Sequence, residues 1–158
     1  MRVSDLIVVG IDPDSDAHGM AVYRGGILDD LRNASLVDIK KWLDEQPDLS
    51  KVLFSIENVL AQNFVYARNA KHSKAAHAKV ALSVGRCQQA QTELMRELED
   101  RQVRYELHSP TSKNWHDNVD RFKQATGWTK RSNDETRSAA FFGWLALSWR
   151  AKVHRSKP

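Results

Sequence analysis

Two carboxylates in this chain stand at the ends of segments that should be buried. Asp12 follows the apolar run Leu6-Ile-Val-Val-Gly-Ile11, and Glu57 follows Val52-Leu-Phe-Ser-Ile56. Runs of this length, rich in β-branched residues, predict buried strands. A carboxylate there cannot stay both charged and dry without a partner. If the two strands lie side by side and parallel, the two acids converge. Asp134 opens a further apolar stretch and falls in the first turn of the helix expected there. Three such carboxylates would form a hard-oxygen site of the kind that suits Mg²⁺, with Mn²⁺ able to substitute. Phosphodiester hydrolysis at a two-metal site needs one ion to activate the attacking water and one to steady the leaving 3′ oxygen. Asp12 is the candidate to bridge them.

Other chemistries find little support. There is no Cys/His cluster for zinc, no GxSxG elbow and no Walker glycine loop. His18, His72, His77, His108, His116 and His154 are scattered and are expected at the surface. Cys87 is the only cysteine, so no disulfide can form within the chain; this fits a reducing cytosol. Its helical surroundings predict a packing role. No apolar run approaches the roughly 18 residues of a membrane span, and the N-terminus does not read as a signal peptide. The expected location is cytoplasmic.

The net charge of +4 is unevenly spread. Residues 5–16 hold Asp5, Asp12, Asp14 and Asp16 with no Lys or Arg, whereas residues 68–86 hold Arg68, Lys71, Lys74, Lys79 and Arg86 with no acid. The stretch from Arg150 to Lys157 is also basic. An acidic pocket within a basic surface suits a metal site that handles phosphates.

The elements that must position these groups follow from pattern. His18 to Arg24 predicts a second strand, Gly25-Gly26 a hairpin turn, and Ile27 to Leu31 a short third strand. Val37 to Glu45 has helical spacing and stops at Pro47. Asn58 to His72 lacks a clean period. Ser73 to Arg101 predicts a long helix, Val103 to Leu107 a strand, and Ser112 to Ala125 a helix. A last helix from Asp134 to about Lys152 is capped by Ser132 or Asn133. Trp115, Trp128, Trp144 and Trp149 are expected to pack. Three strands followed by alternating helices and strands predict a single α/β domain over residues 1–158, a mixed sheet with helices against it.

Several segments together resemble the RuvC-type Holliday junction resolvases of the RNase H-like superfamily. Gly10-Ile-Asp-Pro13 is similar to the motif on that family's first strand, where the Asp binds metal. Ser55-Ile-Glu57-Asn58 resembles its second motif, and Ala81-Leu-Ser-Val-Gly-Arg86 its glycine-containing helix. Ser109-Pro-Thr-Ser-Lys113 and Thr126-Gly-Trp-Thr-Lys130 resemble stretches that place lysines near the cut strand. Asn133-Asp-Glu-Thr-Arg-Ser-Ala-Ala140 stands where the family opens its last helix with an Asp pair.

The resemblance implies an RNase H-like mixed five-stranded sheet flanked by helices. It implies Mg²⁺-dependent cleavage of four-way junctions and other branched DNA by a homodimer, with the helix over 73–101 as candidate dimer element. Catalytic candidates are Asp12, Glu57, Asp134, Lys113 and Lys130; metal candidates are Asp12, Glu57, Asp134 and Glu135. DNA contacts are expected from Phe64, Arg68, Lys71, Lys74, Lys79, Lys113, Lys130 and Arg137. An aromatic such as Phe64 or Tyr66 could stack on an unpaired base or staple its own loop.

The chain departs from the pattern at Asp14, where the family often has Gly, and at Arg137, where a second Asp is usual. Either Glu135 or Asp14 replaces the missing ligand, or three carboxylates suffice, or Arg137 contacts the scissile phosphate. The short chain and these departures point to a bacteriophage version, acting in the host cytoplasm. Alternatives are an RNase H-like nuclease for flaps, forks or RNA–DNA hybrid, and a non-catalytic junction-binding protein.

Overall fold

The computed structural model describes residues 2–61 and 73–155. Five strands form one mixed sheet in the order β3-β2-β1-β4-β5. β1 (Ile7–Asp12), β2 (His18–Arg24) and β3 (Ile27–Ala34) make an antiparallel meander, with a register shift at Val22/Tyr23. β4 (Val52–Glu57) and β5 (Arg104–His108) extend the sheet from β1 in parallel. The helices are α1 (Leu36–Glu45), α2 (Lys74–Asp100), α3 (Val119–Thr126) and α4 (Asp134–Arg155). No helix among the described residues is long and apolar enough to cross a membrane.

Alternation along the strands fills two cores. Val9, Ile11, Phe54 and Ile56 face α1 and α2, meeting Ile39, Trp42, Leu43, Leu94 and Leu98. Val8, Ala21 and Tyr23 face the other way, onto Ala139, Phe142 and Ala146 of α4 and onto Trp115 and Phe122. Because both faces of β1 are covered, it is apolar at successive positions. Two strand hydroxyls tie α4 down: Tyr23 Oη donates to Ala140 O at 2.6 Å and Ser55 Oγ to Phe142 O at 2.7 Å.

Helix ends follow local chemistry. Ser35 and Asp38 form a capping box on α1, and Ser73 caps α2. Asn133 caps α4, its Oδ1 accepting from Thr136 N at 2.9 Å.

Four expectations need correction. Residues 112–118 are not helical. Asn114 Oδ1 accepts from His116 N at 2.9 Å, a local turn that competes with a helix, and α3 begins only at Val119 under an Asn118 cap. Trp149 does not pack, being 69% exposed. α4 has 22 residues and so runs about 33 Å, well past strands of roughly 20 Å. His18 and His77 are buried rather than at the surface. The third strand also runs on to Ala34, beyond the expected Leu31.

Candidate active site

Parallel pairing puts Ile11 opposite Ile56, so Asp12 and Glu57 follow at the same sheet edge. The two carboxyl groups lie within hydrogen-bonding reach of each other. Burial, reinforced by the charge of Glu57, pushes Asp12 up to about 7. Burial raises Glu57 as well. Two acids held this close cannot both ionise cheaply, and a proton or a cation must sit between them.

The third acid of the cluster is Glu135, in the first turn of α4. Burial, then Asp14, then Asp12 push Glu135 up to about 7. Asn33 Nδ2 holds its outer oxygen at 2.8 Å. Asp14 approaches from the turn after β1, which is set by its own backbone N–H donating to His18 Nδ1 at 3.2 Å. Burial lowers His18 to about 4, keeping the ring neutral and able to accept that bond.

Ser138 lies one turn after Glu135 on the same face of α4. It is 1% exposed, and its Oγ makes no hydrogen bond of ordinary geometry. It stands against Asp12, whose carboxyl it helps to keep ionised. A buried hydroxyl beside Asp12 in a cluster of carboxylates fits a divalent hard cation, which takes oxygen donors and offsets their charge.

Asp134 is turned aside. Its Oδ1 accepts from Arg137 Nη2 at 2.6 Å and its Oδ2 lies 3.8 Å from His116 Nε2. His116, Asp117 and Asp134 bring one ligand atom each within 4.8 Å of one another, but all three are exposed and Arg137 already offsets Asp134. Arg137 is 7% exposed. Besides Asp134, its guanidinium donates to His116 O at 3.0 and 3.3 Å and to Ser132 Oγ at 3.0 Å. It therefore locks the loop after β5 onto α4, bringing His116 close enough for its charge to act on Glu57.

Lys74, Lys79, Lys113 and Lys130 are exposed, and Lys130 Nζ stands 5.6 Å from the centre of the Trp128 ring. Phe64, Arg68 and Lys71 lie outside the described residues. Cys87 does not serve core packing: it is part-exposed on α2, and burial together with Asp14, Asp12 and Glu135 raises its thiol. Gln91, fully buried on α2, is a positioning residue that pattern reading missed. Its Oε1 accepts from Val59 N at 2.8 Å and from Leu60 N at 3.3 Å, and its Nε2 donates to Asn58 Oδ1 at 3.0 Å, which fixes the chain leaving Glu57. The only sequence signal was a polar residue on the apolar stripe of Leu94 and Leu98.

No protein-family model and no curated protein sequence matches this chain. Among solved structures, T. thermophilus RuvC in complex with a Holliday junction substrate is similar, with a TM-score of 0.58 at 15% identity, covering 94% of this chain and 97% of that chain. The likeness in fold, together with the strand order, makes this an α/β protein with an RNase H-like mixed five-stranded sheet flanked by helices.

Proposed function

We propose that this chain is a structure-specific DNA endonuclease that cuts four-way junctions and other branched DNA by metal-dependent phosphodiester hydrolysis. The observation that carries the reading is the meeting of Asp12, Glu57 and Glu135, with Ser138 Oγ buried against Asp12. Asp12 stands between the other two acids and would be the shared ligand. Glu57 and Glu135 would flank it, with Asp14 and Ser138 completing the donors. Mg²⁺ or Mn²⁺ held there would supply the activated water and the charge stabilisation that hydrolysis requires.

The chain's own groups do the positioning. Exposed Lys113 and Lys130 would take backbone phosphates, and exposed Lys74 and Lys79 would extend a basic surface along α2. Arg137 serves from behind, by holding the loop that carries Lys113 and His116. Asp134 neutralises that arginine rather than joining the cluster. A homodimer would offer two such sites to the two-fold related strands of a junction. Val80 and Leu82, 42% and 56% exposed on α2, favour that helix as the contact.

The test is a cleavage panel of labelled four-way junction, flap, duplex and RNA–DNA hybrid in Mg²⁺ or Mn²⁺. Junction or flap cleavage is expected, and it should be abolished in Asp12→Asn, Glu57→Gln and Glu135→Gln while binding persists. Preferential cutting of the hybrid would move the substrate to RNA–DNA. Binding without any cutting would make the protein a junction binder only.

A further inference from the structure

A hollow of about 230 Å³ opens between the end of β3 and the segment leading into α4, lined by Arg32, Asn33, Arg131, Ser132 and Asn133 among others. No carboxylate lines it, although Glu135 is its near neighbour. Each polar group around it is either a spare donor or a brace. Arg131 is exposed and makes no ion pair among the described residues. Its backbone carbonyl accepts from Trp128 Nε1 at 3.0 Å, so the turn bearing it is anchored. Ser132 Oγ already accepts from buried Arg137 at 3.0 Å, which leaves its own proton to donate outward. Arg32 gives Nε and Nη2 to Asp30 and keeps Nη1.

The amides tie this hollow to the acid cluster. Asn133 Nδ2 donates to Asn33 Oδ1 at 2.6 Å, and Asn33 Nδ2 donates to Glu135 at 2.8 Å. A group seated there is thus one amide away from a member of the cluster. Arg131, which has no carboxylate partner among the described residues, together with the free Nη1 of the Asp30-paired Arg32 and a hydroxyl donor, suits a singly charged phosphodiester.

We propose that this hollow is a phosphate subsite, seating a backbone phosphodiester adjacent to the one that is cut. The subsite rests on the endonuclease reading and specifies how the strand lies: across the end of β3 and the start of α4. Arg131 is its principal charge, and Ser132 fixes the orientation of the phosphate.

The experiment measures junction binding in Ca²⁺ at several salt concentrations for wild type, Arg131→Ala and Arg131→Lys. A methylphosphonate is then stepped one linkage at a time along the cut strand. Arg131→Ala should bind about 5- to 10-fold more weakly, with a salt slope smaller by about 1. Arg131→Lys should keep the slope and lose only part of the affinity. One methylphosphonate position beside the cut should weaken wild type yet add nothing in Arg131→Ala, as for two ends of one contact. An unchanged slope in Arg131→Ala overturns the proposal. So does a methylphosphonate series that costs both proteins equally at every position, even if free inorganic phosphate competes. A wild type that binds no branched DNA removes the endonuclease reading and the subsite with it. A wild type that binds normally beside an unaltered Arg131→Ala removes the subsite alone.

Discussion

Gly19 on β2 lies directly beneath the backbone carbonyl of Glu135 on α4: a Cβ at Gly19 would come within 2.2 Å of that oxygen and 3.3 Å of Asp12 Cβ. The missing side chain lets the first turn of α4 settle onto the sheet edge, and so brings Glu135 to Asp12. Gly10 plays the same part further along, where a Cβ would meet Ala139 O at 2.0 Å.

Gly19→Ala should therefore lift the start of α4. The expected cost is about 1–3 kcal/mol of stability and roughly a hundredfold in cleavage rate, as the acids separate. Gly85→Ala, with open space around it in α2, is the control and should gain up to about 1 kcal/mol. Thermal unfolding and single-turnover cleavage read both. A fully active Gly19→Ala enzyme would show that this close approach does not set the site.

Asp12 carries a pH signature in metal-free protein. It ionises near 3.8 when unfolded and near 7 when folded. Across that window the folded state holds more protons than the unfolded one, so stability falls as pH rises and levels off above it. Asp12→Asn removes this penalty. The variant should exceed wild type at pH 8 by on the order of 3 kcal/mol, and the gap should close near pH 4. Denaturant unfolding with chelator across pH 4–8 measures it, and parallel curves for the two proteins would count against the buried charge pair.

Ser138 separates stability from metal use. Ser138→Ala deletes a buried hydroxyl whose polar neighbour is Asp12 and should change the stability of the metal-free protein little, while weakening metal-dependent cleavage. Ser138→Asp should lower metal-free stability by adding a further acid, and should shift the Mg²⁺ requirement to lower concentration. Cleavage against Mg²⁺ concentration, beside melting curves, tests this. Ser138→Ala with an unchanged Mg²⁺ profile would remove the hydroxyl from the site.

Arg137 is predicted to be structural. Arg137→Ala leaves the His116 carbonyl and Asp134 without their donor and should cost about 2–4 kcal/mol. Arg137→Asp should be worse, not a gain of function, because it faces Asp134 across one helical turn. A stable Arg137→Asp protein with faster cleavage would instead restore the idea of a missing metal ligand at this position.

Much of this site was legible from residue types. Asp12 and Glu57 were found because a charge at the end of a buried strand demands an explanation, and parallel pairing does bring them together. In the last motif both acids were named, and the structure sets Glu135 toward Asp12 while Asp134 pairs with Arg137. Asp134 and Glu135 are adjacent acids, about 100° apart on a helix, and the motif by itself does not say which of them faces the sheet. Counting back from the buried Phe142 by four and seven reaches Ser138 and Glu135, the face that meets the sheet; the close contact at Gly19 then fixes the depth. The turn at Asn114 and the neutral His18 beneath Asp14 depend on side chains bonding to backbone, which apolar periodicity does not register.

Manganese binding is the most direct test of the central claim that Asp12, Glu57 and Glu135 form one cation site. Calorimetric titration of metal-free protein near pH 7 should show Mn²⁺ uptake with proton release, because the ions displace protons held by the raised carboxyls. Asp12→Asn, Glu57→Gln and Glu135→Gln should each lose most of that binding, whereas Asp134→Asn should keep it. Wild-type binding retained in all three of the first variants, or lost only in Asp134→Asn, would contradict the account.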